Sequence, residues 1–321
     1  MSQTNFTTTL YAGIDIAKAT LQLSLGGAAY SLPNDAKGHA RLLKLLTAAE
    51  QAQPGCHVHV ILEATGGYER ALCSALHAAG RTLSVIPPSR VRQFASAKSE
   101  HAKTDAIDAD VLAAFGAAIQ PAPTLPPSAA QSHLEALVGR RAQLVETRTA
   151  ELNRAEHYHD KLLRQQSRQF LALLERQIAQ CERAIAAQIA ADAPMKARAE
   201  RLQQVPGIGP TVGAVLQAQM PELGTLRAGE AAALAGLAPY NRDSGPWKGT
   251  RQIRGGRAPV RCALYMAALS SVRHDRILRE FYTRLRAAGK KPLVALTAAM
   301  RKLVELLNRL LQKPDFQLAT P

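Results

Sequence analysis

Between Arg140 and Ala193 the chain runs for 54 residues without a glycine or a proline. Strands and tight turns do not continue that far without such punctuation. Within the run, Leu171, Leu174, Ile178, Cys181, Ile185 and Ile189 recur at spacings of three or four, the period of one helical face. The spacing predicts a long helix or a helical hairpin. Unbroken, it would extend about 80 Å at about 1.5 Å per residue; a break near Gln165-Gln166-Ser167 would halve this. The run thereby divides the 321 residues into a domain at 1–128, a helical region at 129–200 and a mostly α-helical domain at 201–321. At 47% apolar content the flanking parts have the means to bury cores.

The first part reads as α/β. Two short strands lie between Leu10 and Leu25 around Ala17-Lys18, and a third runs from His57 to Leu62 and ends on Glu63. After Gly66-Gly67 comes a helix containing Leu72, Ala75 and Leu76, then a strand at Leu83–Ile86 stopped by Pro87-Pro88. Thr104 to Ala118 is a helix candidate, and Pro121, Pro123, Pro126 and Pro127 mark a linker. Strands alternating with helices predict a mixed or parallel sheet. Beyond Leu202, short helices separated by Pro/Gly-rich loops are expected, with a long loop from Pro239 to Pro259 and helices to about Leu311.

Acids recur at the ends of these elements. Asp15 interrupts the first apolar strand, Glu63 closes a later one, and Asp105 and Asp108 open a helix at a spacing of three, which sets both carboxylates on one face. Four carboxylates offer hard oxygen ligands for one or two cations, as in-line phosphoryl transfer needs. Taken singly, each acid also has an ordinary explanation: a helix-dipole acid for Asp105, a strand-end acid for Glu63, a solvated face for Asp108. Asp110 is on the same helix but a different face, and spacing from Asp105 alone leaves its part open. His57 and His59 share one side of their strand, with neither cysteine nor third histidine near to complete a metal site.

Charge points to the partner. The formal net charge is +15, and residues 129–321 carry 30 Lys/Arg against 16 Asp/Glu, whereas 1–128 carry 10 against 9. A polyanion is implied, met chiefly by the second part. Residues 242–302 alone hold 15 Lys/Arg and 3 Asp/Glu. Within them, Arg242, Lys248, Arg251, Arg254, Arg257 and Arg261 surround a loop and are candidate phosphate contacts. The segment Leu202–Leu216 resembles a helix-hairpin-helix, in which Gly207 and Gly209 would let backbone N–H groups approach a phosphate. Aromatic residues make up only 4%, so base stacking should contribute little, Trp247 being the one to test. Four scattered cysteines and the absence of an apolar leader or an 18-residue apolar stretch lead to the expectation of a cytoplasmic, nucleoid-associated protein that makes no use of a membrane.

Three stretches carry a family resemblance: Gly13-Ile14-Asp15-Ile16-Ala17-Lys18, Leu62-Glu63-Ala64-Thr65-Gly66 and Lys103-Thr104-Asp105-Ala106-Ile107-Asp108-Ala109. In order, they resemble the motifs of the Asp-Glu-Asp-Asp transposases of the insertion-sequence-110 family, which includes pilin-gene invertases. The likeness continues through Val205-Pro206-Gly207-Ile208-Gly209 and Ala235-Gly236-Leu237-Ala238-Pro239 to Ser244-Gly245. It implies a RuvC-like N-terminal domain of the ribonuclease H fold, a coiled-coil insert and a C-terminal transposase domain. Asp15, Glu63, Asp105 and Asp108 would be ligands of Mg2+, replaceable by Mn2+, and Ser244 a nucleophile toward DNA. Ser244 enters through the resemblance alone; as a loop serine it has no histidine beside it in sequence. The departures are Pro246-Trp247 and the Arg254-Gly255-Gly256 turn. Implied partners are donor and target DNA, a noncoding bridge RNA and further copies of the chain as a dimer or tetramer. Two other readings of the same residues are a RuvC-like nuclease that activates water and a non-catalytic nucleic-acid-binding protein.

Overall fold

A computed structural model describes residues 8–98, 105–240 and 251–318, the side chains of 105–107 excepted. The chain divides into two compact units, 1–126 and 127–321, so the long helices belong to the same unit as the C-terminal ones.

The first unit is a five-stranded sheet with helices on both faces. In chain order it contains β1 (Thr8–Ile16), β2 (Thr20–Leu25), β3 (Ala28–Pro33), α1 (Ala36–Ala52), β4 (Cys56–Glu63), α2 (Arg70–Ala78), β5 (Thr82–Ile86), α3 (Pro88–Ala97) and α4 (Asp105–Ile119). The strand order is β3-β2-β1-β4-β5. The first three strands are antiparallel neighbours, and β4 and β5 run parallel to β1. The expected strands are present and the expected helix is α4, described from Asp105, while β3, α1 and α3 were not anticipated. Gly26-Gly27, both at positive φ, make the two-residue turn that returns the chain from β2 into β3.

Strand alternation sorts the side chains into two cores. Ala12, Ile14, Val60 and Leu62 pack toward α1 and α2 with Leu42, Leu46, Leu72 and Leu76. Ile61 and Ile86 instead pack with Val91, Val111, Leu112 and Phe115 of α3 and α4. The proline-rich segment after α4 is not a bare linker. Thr124 N–H donates to Leu83 O at 2.7 Å, Val85 N–H donates to Thr124 Oγ1 at 3.0 Å, and Ser84 Oγ donates to Ala122 O at 2.8 Å, so the segment runs beside β5.

The second unit contains α5 (Ala129–Ala155), α6 (Lys161–Ala191), α7 (Ala193–Gln203), α8 (Pro210–Gln219), α9 (Glu230–Leu234), β6 (Pro239–Tyr240), β7 (Gln252–Ile253), α10 (Ala258–His274), α11 (Arg276–Ala287) and α12 (Pro292–Gln312). Helices α5 and α6 form the hairpin alternative, zipped by Leu144, Leu174 and Ile178. The turn falls after Ala155, not near Gln165–Ser167, which lie inside α6. Asp160 supplies the reason: its carboxylate accepts from the amides of Leu162 and Leu163 at 2.8 and 3.1 Å and caps α6 there. Leu202, Val205, Leu264, Ala268, Leu303 and Leu307 lie in the core that joins α7 through α12.

Candidate active site and nucleic-acid surface

Asp15 and Glu63 meet because of strand register. In the parallel β1/β4 ladder Gly13 pairs with Ile61 and Ile14 with Leu62. Carried one residue further, that register sets Asp15 beside Glu63 on strands about 4.8 Å apart, on the same face as Gly13 and Ile61. Helix α4 covers this face, and Gly13 allows it to come close. A Cβ on Gly13 would collide with the carbonyl of Ala109 and the amide of Ala113, and one on Gly116 would stand 2.6 Å from Ile61 and Tyr11. Two residues without side chains thus let the α4 backbone rest on the sheet. Asp108, exposed and next in chain to the buried Ala109, is thereby brought to the end of the sheet where Asp15 and Glu63 lie.

The electrostatics of Glu63 follow from this convergence. Burial pushes its carboxyl above the ordinary range; Arg92 of α3 opposes the shift, and Asp15 and Asp108 reinforce it. Asp110, also exposed, is not among the charges that act on Glu63. The side chain of Asp105 lies outside the described residues. Among the described residues, no three His, Cys, Asp or Glu side chains stand close enough to hold a metal ion. Asp15, Glu63 and Asp108 are therefore neighbours in charge without being drawn onto one point. Their donor chemistry, carboxylate oxygens that repel one another, fits a hard divalent cation.

Sequence reading missed the struts beneath these acids. Glu69 accepts from Thr65 N–H at 3.2 Å, Thr65 Oγ1 at 2.9 Å and Gly67 N–H at 2.8 Å, fixing the turn that leaves Glu63. Asn34 Nδ2 donates to Ala17 O at 3.0 Å and Tyr68 O at 3.4 Å, and Asn34 Oδ1 lies 2.9 Å from Nε2 of the buried His39. The turns that follow the two acidic strand ends are thus tied to one asparagine. The one available signal was an acid two residues beyond a Gly-Gly pair. His57 and His59 hydrogen-bond Thr82 and Ser84 across to β5, at 2.7 and 2.9 Å.

In the second unit, α7 and α8 flank the predicted hairpin at Val205–Gly209. Gly207 has φ +93°, and a Cβ there would collide with Ser271 and Ala267 of α10; close packing accounts for this glycine. Ser271 Oγ ties the turn down by donating to Pro206 O at 2.6 Å. Gly209, exposed with open space around it, precedes Pro210 at the start of α8.

Strands β6 and β7 pair Pro239 with Ile253 and Tyr240 with Gln252, holding the two sides of the serine loop together. Ser244, Arg242, Lys248 and Trp247 lie outside the described residues. Arg251 is exposed, and Arg254 stacks 4.4 Å over the Tyr240 ring. Arg257 is held internally: it donates to Gln219 O at 2.9 Å and grips Glu222 through two bonds of 2.7 Å. Burial works against the Glu222 charge, but Arg257, with help from Arg198, holds its carboxyl below the usual range. Arg261 donates to Gly255 O at 2.6 Å. No described helix is long and apolar enough to cross a membrane.

Known proteins resemble this chain in sequence. Residues 12–165, which span the three acidic motifs, match a family model described as Transposase, and residues 199–283 match the Transposase IS116/IS110/IS902 family. The chain is 28% identical to the pilin gene-inverting protein of Moraxella bovis over 311 residues, covering 92% of this chain and 94% of that one. The protein of the same name from Moraxella lacunata is 27% identical over 311 residues, with the same coverage of each chain. An insertion element IS116 protein of Streptomyces clavuligerus is 36% identical over 127 residues, 39% of this chain and 31% of its own. Matched over residues 12–165 and 199–283, the chain belongs to the IS116/IS110/IS902 family and is a DNA transposase or recombinase.

Proposed function

We propose that the protein cuts and rejoins DNA through a covalent serine-DNA intermediate at a divalent-cation site, guided by a bridge RNA. The observation that carries this reading is that strand register sets Asp15 beside Glu63 at one end of the sheet, where Asp108 of α4 also bears on the Glu63 charge. The strand order β3-β2-β1-β4-β5, with three antiparallel strands followed by two parallel to β1, supports a RuvC-like domain of the ribonuclease H fold. Asp15, Glu63, Asp105 and Asp108 would hold Mg2+, or Mn2+ in its place. When bound, such a cation supplies charge stabilisation at the attacking and leaving oxygens of a phosphodiester. Ser244 Oγ gives up its proton and bonds to phosphorus as one deoxyribose oxygen leaves and is protonated. One phosphodiester is thus exchanged for another, and the bond energy is conserved for rejoining. Exposed Arg251, with Arg242 and Lys248 close to Ser244 in sequence, would contact the flanking phosphates. The bridge RNA enters through the family resemblance.

The α5/α6 hairpin is the element we assign to oligomer formation, so that Ser244 of one protomer works on the acids of another. The test mixes Ser244→Ala protein with Asp15→Asn protein, each inactive alone, on a labelled DNA site supplied with its RNA. Covalent adduct is expected on the Asp15→Asn chain only. Cleavage by wild-type protein that leaves free ends and no adduct would assign the attack to water. Silence at every mixing ratio, despite demonstrated subunit exchange, would place a complete site within each chain.

A further inference from the structure

Residues 273–302 hold nine Lys/Arg against two Asp/Glu, a surplus of seven positive charges. Asp275 is the N-cap of α11, accepting from Leu278 N–H at 2.7 Å. Glu280 stands 3.5 Å from Arg276 in a pair about 70% exposed on each side, which water largely screens. Two of the cations are occupied with packing, since Lys302 and Arg284 lie 4.6 and 5.5 Å from the centre of the Phe281 ring.

The rest are sorted by the helical period. Leu278 is buried, and Phe281, Tyr282 and Leu285 are half-buried, which defines the inward face of α11. Arg276, Arg279, Glu280, Thr283 and Arg286 fall on the outward side of the helix, and all five are exposed, so the side carries three cations against one acid. Arg279 and Arg286 each place one N–H2 group on a backbone carbonyl, of Arg273 and Lys290 respectively. This folds them along the helix and leaves their charge uncompensated. Exposed Lys290 and Lys291 continue the row past the helix end. The row spans about 15 Å of helix before the lysines.

We propose that the outward face of α11 lies against the phosphate backbone of duplex DNA, with Arg276, Arg279 and Arg286 as its contacts and Lys290-Lys291 extending them. The assignment separates this face from Arg257, whose guanidinium group is taken up by Glu222. A helix of this width fits the major groove, about 12 Å across, and three guanidinium groups displace the counterions of three phosphates. The inference rests on the chain acting on DNA, and is independent of which groups perform the chemistry.

The test uses the full chain carrying Asp15→Asn, so that binding is measured without cleavage, and follows its affinity for a 30-base-pair duplex, a probe of about three helical turns, across a series of NaCl concentrations. Replacing Arg276, Arg279 and Arg286 together by Gln should lower the log-log salt slope by up to about 2.7 and weaken binding at least about tenfold near 0.1 M salt. The corresponding Lys triple should keep the slope. A control triple at exposed Lys37, Arg41 and Lys44 of α1 should leave it unchanged. An unchanged slope for the Gln triple with an unaltered melting curve, an equal drop for the control, or an effect on duplex RNA alone would each overturn the proposal. A parent protein without measurable duplex binding would overturn this surface, whereas the family assignment, which rests on sequence, would stand.

Discussion

The two units treat charge in opposite ways. In the first, backbone geometry forces acids together: register places Asp15 beside Glu63, and Gly13 admits α4 so that Asp108 joins them. In the second, abundant cations are largely dispersed, and several of them bind the protein itself. Arg201 donates to the carbonyls of Lys313, Pro314 and Phe316 at 3.1, 2.6 and 2.8 Å, and Arg257 holds Glu222. A surplus of one sign is therefore a poor guide to a functional surface until internally satisfied groups are subtracted. Like charges held together against their repulsion are a far better guide.

The largest effect that would sharpen this contrast is expected within the acidic group. Asp15→Asn, Glu63→Gln, Asp105→Asn and Asp108→Asn should each reduce strand cleavage by about a hundredfold or more while DNA binding persists. Asp110→Asn should cleave at close to the wild-type rate. Wild-type cleavage by Asp108→Asn would remove α4 from the site.

Next in size are the glycines. Gly13→Ala should cost about 1–3 kcal/mol by overpacking, seen in thermal melting, and should also impair cleavage because α4 carries Asp108. Gly116→Ala meets side chains two helical turns away and should cost comparable stability with a smaller loss of cleavage. Equal activity losses for both would mean that α4 serves stability alone.

A smaller effect concerns the internally bound cations. Arg257→Gln should destabilise the protein by about 1 kcal/mol, a figure that allows for partial exposure, and leave the DNA salt slope unaltered. A lower slope would return Arg257 to the DNA surface. The smallest effect is on acid stability. The Glu222 carboxyl is held below its unfolded value, so its contribution is present above about pH 4.3 and is lost as pH falls through the folded value. Melting temperature followed from neutral pH to about pH 3 should therefore decline less steeply in Glu222→Gln than in wild type over that acidic window.

Much of the first unit was legible because its signals are local. Glu63 at a strand end, the Pro87-Pro88 stop and the three-residue step from Asp105 to Asp108 all survive in the structure, the Asp105 side chain aside. β3 was missed although Gly26-Gly27 announces a two-residue turn, because Ala28-Ala29-Tyr30 lacks the branched residues that mark strands. The end of α5 was misplaced because neither glycine nor proline marks it; Asp160, a capping residue, was the sign to weigh. What sequence could not supply is contact between distant segments: Asn34 reaching Ala17 and Tyr68, α10 closing on Gly207, Glu222 meeting Arg257. These depend on packing, and no spacing encodes them. Ser244, known only through family likeness, lies outside the described residues.

The proline-rich segment hydrogen-bonded beside β5 also affects how this protein can be divided. A sheet edge with bare N–H and C=O groups is a template for strands of other molecules. Here residues 121–124 occupy that position, and proline, which has no N–H to offer, makes a poor template in turn. A fragment ending at Gln120 would uncover β5 and tend to aggregate, whereas one ending after Pro126 keeps its own cover. The segment that looks like a spacer is therefore the last piece of the sheet domain, and the cut belongs on its far side.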